Sequence, residues 1–84
     1  MNSRHRKTLE AVFREPVPSN MAWNDIERLL IAFGCQVIEG DGSRVRFEKD
    51  GISGNFHRPH PAKEAKKYQV KVARNFLIEL GIRP

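Results

Sequence analysis

A chain of 84 residues with 39% apolar content is one small domain by length, and no apolar run approaches the roughly 20 residues a bilayer span needs, so a membrane protein is excluded. The net charge of +5 is one-sided: residues 1–42 carry five Lys/Arg and six Asp/Glu, residues 43–84 ten and four. A basic half favours a polyanionic partner such as nucleic acid, an acidic protein or anionic lipid, and a single cysteine, Cys35, excludes an internal disulfide.

Ser3 to Arg14 is a predicted helix with Leu9, Val12 and Phe13 on one face and Asn2 or Ser3 as its cap. Pro16 and Pro18 then end it and stiffen the connection. Met1 to Lys7 is basic and lacks the apolar segment of a signal peptide, which points to the cytoplasm. A second helix is marked by the stripe Trp23, Ile26, Leu29, Leu30 and Phe33. Ser19 or Asn20 is the expected N-cap and Gly34 the stop. Trp23 belongs to the stripe and is therefore read as core, and Cys35 as a small buried hydrophobe.

Cys35 to Glu39 reads as a short strand, followed by a turn at Gly40-Asp41-Gly42. Ser43 to Glu48 and Ile52 to His57 both alternate apolar with polar residues around Asp50-Gly51, a two-residue hairpin signal. That turn fixes the register. Lys49 faces Ile52, Val45 faces Phe56 toward the core, and Arg44, Arg46, Asn55 and His57 gather on the other face. Arg58-Pro59-His60-Pro61 cannot continue a central strand and forms a rigid exit. A last helix, Tyr68 to Leu80, carries the stripe Val70, Ala73, Phe76, Leu77 and Leu80. The order α-α-β-β-β-α predicts an α+β fold, a three-stranded antiparallel sheet with helices on one face.

The helix ending LLIAFG, the turn and strand GDGSRVRF, and the stretch HRPHPAKEAKKYQVKVARNFLIELGI resemble the HicA-type toxins, the mRNA interferases of bacterial toxin–antitoxin systems. The resemblance covers roughly Trp23 to Ile82. It implies a double-stranded-RNA-binding-domain-like fold, metal-independent cleavage of mRNA, and a HicB-like antitoxin that covers the active site. It divides the single domain 1–84 into an N-terminal extension helix and linker, 1–18, and a HicA-like core, 19–84. The family's catalytic histidine lies in Gly-Ser-His; here that position is Arg44. His60 matches the histidine of the family's His-Pro-type turn, and His57 is additional.

The residues alone allow the same chemistry. RNA is cleaved when a base activates its 2′-OH, an acid protonates the leaving oxygen, and cations hold the phosphorane charge. Histidine suits the base role. Arginine stays protonated and binds phosphate as a fork. With Arg44 facing His57, two readings stand: set beside the resemblance, the base has moved across the hairpin and Arg44 has become the phosphate ligand; on the residues alone, His57 is equally an ordinary exposed strand residue. His60, held between prolines, is the candidate acid or packs over the sheet edge. Lys63, Lys66 and Lys67 stand at a helix start, where cations oppose the dipole. With free N–H groups they would make a phosphate-binding corner, extended by Lys71 and Arg74. Arg46 and Arg58 complete the expected RNA contacts, and Tyr68 is the one candidate for stacking a base. His57-x-x-His60 lacks the further ligands of a zinc site, so no metal or cofactor is expected. No serine- or cysteine-hydrolase constellation is present. Two other classes stay open, a non-catalytic RNA-binding module and a pure antitoxin-docking protein.

Overall fold

A β-hairpin supplies two of the sheet's three strands. Asp50 and Gly51 take φ of 53° and 78°, the mirror-image turn that matches strand twist. From it β2 (Arg44–Lys49) and β3 (Ile52–His57) pair antiparallel, with Lys49 opposite Ile52, Val45 opposite Phe56 and Arg44 opposite His57. This is the register the alternation predicts. β1 (Gln36–Glu39) joins the other edge of β2, so the sheet is a meander in the order β1-β2-β3. The computed structural model describes every residue from Met1 to Pro84. It adds α1 (Ser3–Val12) and α2 (Trp23–Ala32) before the sheet and α3 (Lys67–Glu79) after it, giving the expected α+β order.

One core lies between the sheet and the helices. Val45, Phe47 and Phe56 point inward from the sheet. The Phe56 ring lies 5.2 Å from that of Trp23 and 5.7 Å from that of Phe47, and tilted aromatic contacts of this kind add to simple burial. Trp23, Ile26, Leu29 and Leu30 of α2, and Val70, Ala73, Phe76 and Leu77 of α3, complete the core. Phe33 and Leu80, at the ends of their stripes, are only partly buried. Gly54 explains how α3 reaches β3: a Cβ there would sit 3.0 Å from Phe76 Cγ, so only a residue without a side chain admits the ring at that depth.

Two expectations about helix ends are settled differently. Asn2 caps α1, its side chain accepting from His5 N at 2.8 Å. Ser19 and Asn20 do not cap α2, whose N-cap is Ala22 with no side-chain bond. Ala22 instead forms an antiparallel bridge with Glu64, in which Trp23 N donates to Lys63 O at 2.9 Å and Ala65 N to Met21 O at 2.8 Å. Backbone pairing takes the place of the cap and moves the helix start past both polar residues.

α1 shares this core through Leu9 and Val12, as does Val17 of the connection. Arg74 of α3 ties the end of α1 down: Nε donates to Val12 O at 2.8 Å, Nη2 to Arg14 O at 2.9 Å, and Nη1 to the Glu15 carboxylate. These carbonyls lie at the negative end of the helix, where a cation is favoured. No helix is long and apolar enough to cross a membrane.

Candidate functional site

The face of the sheet turned away from the helices carries Arg44, Arg46, Asn55 and His57, all exposed, in the cross-strand pairs Arg44↔His57 and Arg46↔Asn55. With Ile38, Glu39 and Gly40 they line an open depression of about 640 Å³. Alternation alone dictates this side, because the apolar partners of the same strands are consumed by the core.

Within the depression the cations differ. Arg46 Nε lies 3.1 Å from Glu48, which also accepts from Ser53 Oγ at 3.3 Å. Arg44 has no carboxylate partner, and it stands opposite His57 on the ladder. His57 Nδ1 lies 3.4 Å from Ser43 Oγ, and the Ser43 carbonyl accepts from Arg58 N at 2.8 Å.

Arg58, expected among the phosphate contacts, is held in an ion-pair clamp. Its guanidinium lies between two carboxylates, with Nε 3.0 Å and Nη2 3.1 Å from Glu27, and Nη1 2.6 Å and Nη2 2.9 Å from Glu39. Glu27 also accepts from Trp23 Nε1 at 2.9 Å. The bonds from Glu39 and then Glu27 push the Arg58 pKa further upward, and the Arg58 hydrogen bond holds the Glu39 carboxyl below the usual carboxylate range. Arg58 is a clamp joining α2, β1 and the end of β3, with little left to offer a phosphate. Arg74, also expected to contact phosphate, directs Nε, Nη1 and Nη2 to the end of α1.

Lys63, Lys66, Lys67 and Lys71 are exposed and have no carboxylate partner. Lys66 is the N-cap of α3 and Lys67 its first residue. One buried side chain links them to the histidine strand. Gln69 is 2% exposed; its Oε1 accepts from Lys66 N at 2.8 Å and its Nε2 donates to His57 O at 2.6 Å. The Lys66 N–H, expected to be open to phosphate, is therefore occupied. His60 is exposed in the exit loop between Pro59 and Pro61, and Tyr68 is exposed beside Lys67. Trp23 and Cys35 are buried, and burial pushes the Cys35 thiol upward, away from a nucleophilic thiolate. No cluster of three His, Cys, Asp or Glu side chains forms a candidate metal site.

Sequence reasoning missed Ser43, Gln69 and the Glu27–Glu39 pair. The register could have shown Ser43, which adjoins the Arg44↔His57 pair; no sequence signal marks Gln69. The open face carries an imidazole and a guanidinium without a carboxylate partner, and the four lysines stand apart from it, before and along the start of α3.

The family model described as HicA toxin of bacterial toxin-antitoxin matches residues 23–82. Comparison with curated proteins and with solved structures gives no match.

Proposed function

We propose that this chain, which belongs to the HicA toxin family of bacterial toxin–antitoxin systems, is an RNA-binding toxin that cleaves mRNA without a metal ion. One observation carries the reading. His57 shares an open face with the unpaired Arg44, and Gln69 couples that strand end to a lysine corner. His57 is the general base toward a ribose 2′-OH, and His60 the acid toward the leaving oxygen. Arg44 and Arg46 hold the scissile region, and Lys63, Lys66, Lys67 and Lys71 hold the flanking phosphates, positioning the strand without reading its sequence. Arg58 and Arg74 maintain the scaffold. Membership implies an antitoxin partner; a HicB-like one would cover the open sheet face. The setting is cytoplasmic. Residues 19–84 form the HicA-like core of a single domain, and 1–18 its extension helix and linker.

A specific observation favours a second reading. Arg44 stands where the resemblance places the family's catalytic histidine, and arginine cannot act as a base. On this reading the chain binds RNA without cutting it. Incubating the protein with RNA in EDTA separates the two. Cleavage that disappears in His57→Ala and falls in His60→Ala supports the enzyme. Binding without cleavage, weakening steeply with salt, selects the module.

A further inference from the structure

Ser43 sits at the open end of the hairpin, one residue before the Arg44↔His57 pair. Its backbone is fixed, because its carbonyl accepts from Arg58 N at 2.8 Å and the Arg58 side chain is clamped by Glu27 and Glu39. Its hydroxyl lies 3.4 Å from His57 Nδ1. We propose that Ser43 is a positioning residue that selects one tautomer of His57: Oγ accepts from Nδ1–H, so the neutral ring keeps its lone pair on Nε2, the nitrogen that takes the proton. This rests on the endoribonuclease reading.

Both nitrogens of an imidazolium are donors, so an oxygen beside Nδ1 must be an acceptor once the base has been protonated. A hydroxyl that already accepts needs no rotation during the step, whereas one that donates must turn over as charge develops. Preorganised acceptors of this kind act without reorganisation at the moment of reaction. Arg44 stands directly across the ladder from the ring. A guanidinium has donors and no acceptor, so beside it a bare nitrogen is favoured over a second N–H. With Nδ1 engaged by Ser43, that bare nitrogen is Nε2.

The step balances without a co-reactant. The 2′-O–H bond breaks as Nε2–H forms, and the 2′-oxygen bonds to phosphorus. The P–O5′ bond then breaks, and the departing oxygen takes a proton from the acid. The products are a 2′,3′-cyclic phosphate and a 5′-hydroxyl, and the proton on His57 returns to water.

The test reads the ring itself. Two-bond 15N–1H correlations on the labelled full chain, at a pH where the ring is neutral, report which nitrogen carries the proton; His57→Ala assigns the signals. The expected result is a protonated Nδ1 and a bare Nε2 in the wild type, a shift toward the Nε2–H form in Ser43→Ala, and restoration in Ser43→Thr. Against an RNA oligonucleotide in EDTA, Ser43→Ala lowers kcat about tenfold, the scale of one hydrogen bond to a charged group, with KM unchanged. Ser43→Thr recovers the rate, and Ser19→Ala, in the exposed connection before α2, leaves it alone. A wild-type ring protonated on Nε2, or the same tautomer in wild type and Ser43→Ala, overturns the proposal. The expected tautomer without any RNA cleavage supports the hold of Ser43 on the ring and removes the endoribonuclease reading, so the two failures are distinguishable.

Discussion

Replacing Gln69 by Met tests whether the helix start and the histidine strand are one mechanical unit. Met keeps the volume and removes both polar ends, so cavity formation contributes little. Two hydrogen bonds are lost, from Lys66 N at 2.8 Å and to His57 O at 2.6 Å. Each is worth a net 0.5–1.5 kcal/mol or so. Lys66 and His57 are themselves exposed, so water recovers part of the loss, and the expected destabilisation is about 1–2 kcal/mol. For a chain of this size that lowers Tm by about 4–16 °C. Gln69→Glu is worse than Met although it retains the acceptor for Lys66 N, because it turns a buried carboxylate oxygen toward the His57 carbonyl. Urea and thermal unfolding followed by circular dichroism give the stabilities, and amide exchange at the end of β3 reports the local loosening. A Met variant as stable as the wild type, with unchanged exchange near His57, refutes the reasoning.

Gly54→Ala brings a Cβ to 3.0 Å from Phe76 Cγ and 3.1 Å from Phe56 Cε1. Both rings are boxed into the core, so urea unfolding should show a loss of about 1–2 kcal/mol, and Phe76→Leu in the same chain should relieve part of it. Arg74→Lys should cost about 1–2 kcal/mol in the same assay, since one ammonium cannot fork to the two carbonyls and the carboxylate that Arg74 reaches. Glu39 has a lowered carboxyl pKa because of Arg58. A depressed folded-state pKa gives stability that is complete above the ordinary carboxylate pKa and is lost as pH falls through the folded value. Unfolding midpoints from neutral to acid pH should therefore fall less in Glu39→Gln than in the wild type.

The hairpin was legible because two local signals agree. Asp50-Gly51 sets the turn, and alternation on both sides permits only one register, so the companions of His57 on its face followed from counting. Charge was less legible. The sequence shows that Arg58 and Arg74 are cations but not what they touch. Arg58 meets Glu27 and Glu39, 31 and 19 positions away, and Arg74 meets the end of α1 some 60 positions away. Long-range ion pairs leave no periodicity to read, so both looked like surface available to RNA. The start of α2 failed for a related reason: Ser19 and Asn20 are good local caps, but the pairing of Ala22 with Glu64 is a tertiary event. Gln69 lay beyond reach because a buried polar residue on a helix announces itself only through its partners.

The Arg74 clasp also bears on how the chain can be trimmed. The family match begins at residue 23, yet Arg74 grips the carbonyls of Val12 and Arg14, and Leu9, Val12 and Val17 lie in the common interior. A fragment starting at Trp23 would carry a naked guanidinium and an uncovered apolar flank, inviting aggregation before any toxin activity could be assayed. The leading helix is thus a lid on the interior, and a trimmed chain must keep it.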